Sequence, residues 1–164
     1  LPQVDPARTL KLYASDYNDK SIQWCQDNIQ NVSFALNGLT PPLPFENDFF
    51  DALYSISVYT HLSEKMHYAW LNENLRVVKP GGIVLMTLHG DRVAHKLLKE
   101  ERTRYDAGNI VVRSHTQEGA RLYAAFQSPR FVREQFLRGH TIVYHNPSPD
   151  PCIAGSQDMW VIRK

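Results

Sequence analysis

The sequence predicts an α/β fold in which helices return the chain to a mostly parallel sheet. Residues 76–87 have the pattern of a helix end, a tight turn at Pro80-Gly81-Gly82 and an apolar strand. Proline cannot continue a helix, and glycine adopts the backbone angles of tight turns. A second apolar run, residues 49–58, precedes another helical pattern, and a third, residues 12–16, ends in an acid. A helix that leads through a turn into a strand apolar on both faces is typical of a parallel crossover.

Hydrophobic periodicity and chain-breaking residues divide the sequence into alternating strands and helices. Predicted strands cover residues 10–15, 32–36, 52–57, 83–88, 110–112, 141–144 and 158–162. Predicted helices cover residues 18–30, 64–79, 92–101 and 129–138. Ser63 is a favourable N-cap for the second helix, and Lys79 is expected in its last turn, next to the negative end of the helix dipole. Gly108-Asn109 is typical of a hairpin turn.

Composition and charge favour a single globular domain. The chain has 164 residues, of which 43% are hydrophobic, enough for a core and too many for a disordered chain. Its formal net charge of +1 argues against a dedicated nucleic-acid binder, which is usually basic. Residues 92–104 are locally basic, but Glu100 and Glu101 interrupt them, which favours a solvated helix face. No apolar run is long enough to span a membrane, and residues 1–9 lack the apolar core of a signal peptide.

The acid-ended strand, the strand and loop from Asp51 to His61, and the Pro80-Gly81-Gly82 turn together resemble the class I methyltransferases that use S-adenosylmethionine. The resemblance extends over residues 10–163. It implies a Rossmann-like, doubly wound, mostly parallel sheet with an antiparallel closing strand, built as one domain, residues 1–164, with an inserted segment at about 92–128. We therefore expect an S-adenosylmethionine-dependent enzyme of the cytoplasm, since the two cysteines fit no zinc or redox signature and such a domain suggests a reducing compartment.

The resemblance assigns the cofactor to side chains that follow the first two predicted strands. Asp16 would accept hydrogen bonds from both ribose hydroxyls, although an acid at this point is also an ordinary loop or cap residue. Tyr17 would pack on the adenine face or simply lie on the surface. Asn37, with Gly38 and Leu39, would bind the adenine edge, and an ordinary Asn-Gly turn is an equal alternative.

The loop after the next predicted strand is expected to face the reacting end of the cofactor. The resemblance implies that the backbone of Ser57, Val58 and Tyr59 lies against the methionine part, and that Tyr59, Thr60 and His61 contact the substrate near the transferred methyl group. His61 is the candidate catalytic residue, as a base that removes a proton from the acceptor. The alternative, which we favour, is that His61 orients the loop or caps the following helix.

Metal catalysis is not expected, although the chain contains seven histidines. His61 and His67 are six residues apart, and so are His89 and His95. This spacing puts neither pair on one face of a helix.

The glycine-rich loop of the resembled family has no counterpart here, since no glycine precedes Gly38. In that family the loop follows the first, central strand, which is therefore expected to be missing from this sequence. Its absence would leave the strands at Asp16 and Ala52 with unpaired edges. Three explanations are open. We favour the first two, which are that the sequence is the ordered part of a longer protein or that it is truncated. In the third, the N-terminal segment of this chain or of a partner copy fills the gap, as in a swapped homodimer.

The expected function is S-adenosylmethionine-dependent methyl transfer to an oxygen or nitrogen atom of a small molecule, without nucleic-acid or membrane partners. The acceptor would enter over Tyr59, Thr60 and His61, bounded by the inserted segment. The alternative is a degenerate methyltransferase fold that has lost catalysis and acts as an interaction or scaffolding domain, which the missing glycine-rich loop favours.

Overall fold

The computed structural model describes residues 10–147 and 155–164, and the chain divides into two compact units, Leu1–Pro44 and Phe45–Lys164. In the first unit, strand β1 (Leu12–Asp16) leads into helix α1 (Asp19–Asn28) and then into β2 (Val32–Leu36), which pairs with β1 in parallel. Asn18 caps α1, because its side chain accepts a hydrogen bond from the N–H of Ser21.

The second unit contains the remaining elements within the described residues. They are β3 (Phe50–Ser55), α2 (Glu64–Val77), β4 (Val78–Leu88), α3 (Lys99–Asp106), β5 (Ile110–Arg113), β6 (Ala124–Gln127), α4 (Pro129–Phe131), β7 (Thr141–Asn146) and β8 (Asp158–Arg163). Short 3₁₀ turns lie at Tyr59–His61 and Asp91–Lys96, and α4 continues as π-helical turns over Val132–Phe136.

The sheet of the second unit has the strand order β3-β4-β8-β7, and β5 and β6 form a separate antiparallel hairpin. Strands β3 and β4 are parallel, and α2 makes the crossover between them. Strand β8 is antiparallel to both β4 and β7. Two parallel pairs connected by helices, together with an antiparallel closing strand, are the arrangement that the sequence predicted.

The Pro80-Gly81-Gly82 segment lies inside β4 and not after a longer helix. Helix α2 ends at Val77, and β4 begins at the next residue. The pairing with β3 passes from Phe50↔Val78 to Ala52↔Ile83, so the four residues 79–82 lie opposite Asp51 alone and form a bulge. At Gly82 a Cβ atom would lie 2.7 Å from the backbone oxygen of Asp51, which only glycine avoids. The prediction that Lys79 lies in the last helical turn is therefore wrong; its ammonium group is paired with Asp51 at 2.8 Å.

The segment after β4 also differs from its predicted form. Residues 91–96 make a 3₁₀ turn and α3 begins only at Lys99, because Leu98 is extended. Val93 and Ala94 are buried against Tyr105 in a small apolar cluster, which fixes this break. Gly108, at φ 85°, ends α3, so Gly108-Asn109 is a helix terminus and not the predicted hairpin turn.

The main core of the second unit is formed by apolar side chains of α2, β4 and β8. Its fully or almost fully buried members include Leu71, Val77, Val84, Met86, Leu88, Trp160 and Ile162. No helix within residues 10–147 or 155–164 combines the length and the apolar character that a membrane span requires.

Candidate active site

The carboxyl ends of β1 and β2 bring Asp16 and Asn37 side by side. Asp16 is the last residue of β1, and the N–H of Asn37 donates to its backbone oxygen at 3.0 Å. The Asp16 carboxylate accepts a hydrogen bond from the N–H of Asn18 through Oδ1 at 2.8 Å. The Asn37 amide donates to the oxygen of Gly38 at 2.7 Å, which fixes its orientation. Ligands of open α/β sheets bind at this end of parallel strands.

The residues around this pair have the chemistry that a nucleoside needs. Asp16 is exposed, and its Oδ2 atom has no hydrogen-bond partner within the described ranges, so a ribose hydroxyl can reach it. Tyr17 and Leu39 both present apolar surface to solvent. At Gly38 a Cβ atom would approach the backbone oxygen of Thr40 to 3.1 Å, so the loop is compact. These residues fit an adenosine-containing cofactor.

A second group of side chains lies where β3 and β4 end. The N–H of Ser57 donates to Oγ1 of Thr87 at 2.8 Å, and Thr87 donates to Gln157 at 2.5 Å. Gln157 in turn donates to Oγ of Ser57 at 2.7 Å. This closed ring of hydrogen bonds holds Ser57 at φ 59°, a left-handed conformation that is costly for a residue with a side chain. The neighbouring Val58 remains partly exposed.

Tyr59 and Thr60 are wholly buried, which disfavours the predicted contact of their side chains with a substrate. The Tyr59 hydroxyl accepts a hydrogen bond from Asn74 at 3.0 Å, and burial raises its pKa well above the ordinary value. The Thr60 hydroxyl donates to the backbone oxygen of Ser57 at 3.1 Å. Both residues therefore act in packing and in shaping the loop.

His61 is partly exposed, and its ring is oriented by the hairpin. Its Nδ1–H donates to the backbone oxygen of Tyr123 at 2.8 Å, since a carbonyl can only accept. Its own backbone oxygen accepts from the N–H of Gly119 at 2.9 Å. In the neutral ring, Nε2 is therefore the nitrogen with the lone pair.

His89, which directly follows β4, is a site residue that sequence reasoning missed. Its N–H donates to the side-chain oxygen of Gln127 at 2.9 Å, its backbone oxygen accepts from the N–H of Gln127 at 2.9 Å, and its Nδ1–H donates to the oxygen of Ala125 at 3.0 Å. The signal that could have located it is its position at the end of a predicted parallel strand. The identity of its partners follows only from the folded hairpin.

Gln127 joins the candidate site to the core. Its side chain is 1% exposed and donates to Nε2 of His67 at 2.8 Å and to the backbone oxygen of Tyr59 at 3.3 Å. The Nδ1–H of His67 donates to the oxygen of Ser63 at 2.8 Å, so its Nε2 is free to accept. One amide thus connects the loops after β3 and β4 with α2.

Burial lowers the pKa of two histidines and raises the pKa of one acid. It lowers the pKa of His67 to about 4 and that of His89 also to about 4. It raises the pKa of Asp158 to about 7, and the nearby Asp91 acts in the same direction. The Asp158 carboxyl fills the space above Gly90, where a Cβ atom would lie 2.1 Å from it.

In the part of the chain that the structure describes, no group of three or more histidine, cysteine or acidic side chains could hold a metal ion.

Comparison with known families decides the class of this protein. The family model described as "Methyltransferase domain" matches residues 3–86, just over half of the chain. The chain belongs to this methyltransferase family. It thus carries a methyltransferase domain of the class that uses S-adenosylmethionine.

Solved structures confirm the class I, Rossmann-like fold. The 1,6-didemethyltoxoflavin-N1-methyltransferase of Burkholderia thailandensis, with bound S-adenosylhomocysteine, is similar over 94% of this chain and 61% of its own, with a TM-score of 0.61 and 16% identity. A methyltransferase of Haloferax volcanii in complex with the Trm112 methyltransferase activator is similar over 92% of this chain and 70% of its own, with a TM-score of 0.61 and 15% identity.

One curated relative corrects the predicted acceptor. A tRNA (carboxymethyluridine(34)-5-O)-methyltransferase of Arabidopsis thaliana is 41% identical over 76 residues, which are 44% of this chain and 18% of that protein. The chain thus spans less than a fifth of the relative's length. The expectation of a small-molecule acceptor without nucleic acid is wrong in the light of this similarity, because net charge alone does not exclude a local nucleic-acid surface.

Proposed function

We propose that this methyltransferase transfers the methyl group to an oxygen atom of a modified uridine in tRNA. The observation that carries the proposal is the 41% identity over 76 residues with the tRNA methyltransferase of Arabidopsis thaliana. Identity at this level over a third or more of a chain supports shared chemistry more strongly than the 15–16% identity of the solved structures does.

The acceptor atom that we propose is a carboxyl oxygen, because a carboxymethyl substituent has no other oxygen. A carboxyl group with an ordinary pKa near 4 is ionised at neutral pH and needs no base to become a nucleophile. S-adenosylmethionine supplies the electrophilic methyl group. The tasks left to the protein are to align the carboxylate and to exclude water. On this proposal His61 positions the acceptor by lying beside it and does not remove a proton, because an ionised carboxylate has none to give.

The proposed cofactor contacts follow the placement of the polar side chains. Asp16 accepts the ribose hydroxyls, Asn37 with Gly38 binds the adenine edge, and Tyr17 and Leu39 offer apolar surface. In the second unit, the backbone at Ser57 and Val58 faces the methionine part. The hydrogen bonds of Ser57 with Thr87 and Gln157 support this role, since they fix a strained backbone in one conformation.

The inserted segment supports an RNA acceptor electrostatically. Residues 92–128 contain seven Lys and Arg against four Asp and Glu, a local excess of three where the whole chain has an excess of one. Glu101 and Asp106 are already in ion pairs, and Glu118 accepts a hydrogen bond from the N–H of Ser63. The exposed cations that form no ion pair with the described acids are Arg92, Lys96, Lys99, Arg104 and Arg121. Phosphate contacts of such cations supply most of the sequence-independent affinity for RNA.

The test is methyl transfer to two tRNAs that differ in one group. The chain is incubated with S-adenosylmethionine labelled in the methyl group and with a tRNA that has 5-carboxymethyluridine or plain uridine at position 34. We expect label only in the carboxymethylated tRNA, recovered after nuclease digestion as a base-labile ester.

Controls separate the parts of this proposal. Asp16→Ala should abolish transfer at low cofactor concentration, whereas Asp19→Ala, an exposed acid in the first turn of α1, should not. Base-stable label in both tRNAs would support an RNA substrate but would contradict transfer to a carboxyl oxygen. Absence of label with either tRNA, while S-adenosylhomocysteine binds normally, would contradict the proposed acceptor.

A further inference from the structure

Two imidazole rings bind backbone oxygens at the start of the hairpin strand β6: Tyr123 directly precedes the strand, and Ala125 lies in it. His61 donates through Nδ1 to the oxygen of Tyr123 at 2.8 Å, and His89 donates through Nδ1 to the oxygen of Ala125 at 3.0 Å. Carbonyls two residues apart on an extended chain point the same way and are about 7 Å apart. Both rings therefore have a proton on Nδ1, and the neutral form of each has its lone pair on Nε2.

The ring of His89 is held more firmly than that of His61. Its N–H, its backbone oxygen and its Nδ1–H are all bonded to β6, and the ring packs on Phe126 with centroids 5.3 Å apart. Two contacts of the ring and two of its backbone keep Nε2 in one position. A fixed position of this atom favours a role of His89 in binding a ligand.

His89 accepts but does not donate at Nε2. Burial lowers its pKa to about 4, and the charges of His61 and Lys96 act in the same direction. The hydrogen bond to Ala125 acts against them and favours the charged form, but it also fixes the proton of the neutral ring on Nδ1. Above about pH 5 the neutral ring therefore has only a lone pair to offer at Nε2.

The Nε2 atom of His89 is available to a ligand. It has no hydrogen-bond partner among residues 10–147 and 155–164, and it is not one of the buried polar atoms that lack a partner there, which are Oγ1 of Thr116 and Oδ1 of Asp158. An acceptor atom in this state is satisfied by water or by a ligand's donor.

We infer that Nε2 of His89 accepts a hydrogen bond from the imide N3–H of the target base and so selects uracil over cytosine. Uracil has a donor at N3, whereas neutral cytosine has an unprotonated nitrogen there, which would face the lone pair of His89. Leaving both acceptors unpaired in a closed site disfavours the wrong base. This specificity role rests on the proposed function and assigns to His89 a contact with the base, while His61 lies beside the reacting substituent.

The experiment measures binding of anticodon stem-loop RNAs to the protein loaded with S-adenosylhomocysteine. The two RNAs contain 5-carboxymethyluridine or its N3-methyl derivative at position 34. We expect the wild-type protein to bind the N3–H form about tenfold more tightly. His89→Asn should bind both RNAs equally, because the shorter amide can still donate to Ala125 but has no atom at the position of Nε2.

The matched control is His95→Asn. His95 donates through Nδ1 to the oxygen of Arg92 at 2.9 Å in the same way but is exposed, so this variant should keep the tenfold preference. Equal preference in His89→Asn and wild type would overturn the assignment and leave the proposed function intact. Failure of the wild-type protein to bind either RNA would overturn both.

A second measurement covers the case in which His89→Asn does not fold. Nitrogen chemical shifts of the histidines in the wild-type protein, loaded with S-adenosylhomocysteine at neutral pH, report which ring nitrogen carries the proton. We expect Nδ1–H and an unprotonated Nε2 for His89. A proton on Nε2 would overturn the proposed contact whether or not the RNA acceptor is correct.

Discussion

One carboxylate, Asp16, is predicted to account for much of the cofactor affinity. Asp16→Ala removes a charge-assisted contact to the ribose, which contributes about 1.5–3 kcal/mol, or about ten- to a hundredfold in the dissociation constant. Calorimetry with S-adenosylhomocysteine measures the change. Asp19→Ala is the control, since Asp19 is also exposed and lies three residues away. An unchanged dissociation constant for Asp16→Ala would show that another group binds the ribose.

His61 is predicted to position the acceptor and not to act as a base. His61→Ala should lower kcat by about ten- to a hundredfold through misalignment, with the same pH profile as wild type, because an ionised carboxylate has no proton to remove. The profile is measured from about pH 5.5 to 8.5, which brackets the ordinary histidine pKa. Loss of an acidic limb in the variant would instead assign proton abstraction to His61. His95→Ala should leave kcat unchanged.

At the scale of elements, the side chain of Gln127 on the hairpin strand β6 is predicted to stabilise the fold as well as the candidate site. Gln127→Leu leaves the N–H of His89 and Nε2 of His67 without their partner, at a cost of about 2–4 kcal/mol in the free energy of unfolding. Urea unfolding measures this cost. Gln117→Leu, an exposed glutamine in the loop between β5 and β6, should change it by less than about 0.5 kcal/mol. Equal stability of the two variants would contradict the role of Gln127.

The elements themselves were largely predictable from local patterns. Strand β2 has the predicted bounds at both ends, and Ser63 caps α2 as expected, because both depend on neighbours in sequence. The predicted helix over residues 92–101 is wrong because burial of Val93 and Ala94 against Tyr105 overrides the local helical preference. Tertiary packing decides such short, weakly periodic segments.

The candidate site was predictable only in part, for the same reason. Asp16 ends β1, Asn37 directly follows β2, and His61 lies in the turn after β3, so the pattern of strands locates them. His89, Gln127 and Gln157 belong to the site through contacts with residues 36 to 100 positions away along the chain. Such contacts have no signature in the local sequence.

At the scale of the whole molecule, stability should depend on pH through a buried acid and two buried histidines. The pKa of Asp158 is raised to about 7, against about 4 when unfolded, so the folded protein binds more protons between these values. Its contribution therefore falls as the pH rises from about 4 to 7. His67 and His89, with pKa values lowered to about 4, oppose this, because the unfolded chain binds more protons up to about pH 6.5.

Replacing the acid isolates its share of this pH dependence. In Asp158→Asn the free energy of unfolding should rise relative to wild type as the pH increases from about 4 to 7, since only the opposing histidine contribution remains. Urea unfolding at several pH values measures the difference. Gln117→Asn, at an exposed position without a titratable group, should give a constant difference. A constant difference for Asp158→Asn as well would show that Asp158 titrates normally.

RNA affinity is the second property of the whole molecule, and it should depend steeply on salt. If Lys96 and Arg121 each contact one phosphate, removing either should lower the slope of log affinity against log salt by just under 1. Lys96→Ala and Arg121→Ala are compared with Lys65→Ala, an exposed cation of α2 outside the inserted segment. Binding is measured with the anticodon stem-loop at several salt concentrations. Equal slopes for all three variants would place the RNA elsewhere.

The connections of Gln127 also bear on how the acceptor preference of this enzyme could be redesigned. Tyr123 and strand β6, which directly follows it, orient His61 and His89, and Gln127 connects the strand to α2 through one amide. Changes along this segment would therefore alter specificity and folding together. In the loop between β5 and β6, the side chains of Arg121 and Leu122 are exposed and are not part of the core. Libraries aimed at new acceptors should therefore vary Arg121 and Leu122 and leave the rest of the loop and the strand unchanged.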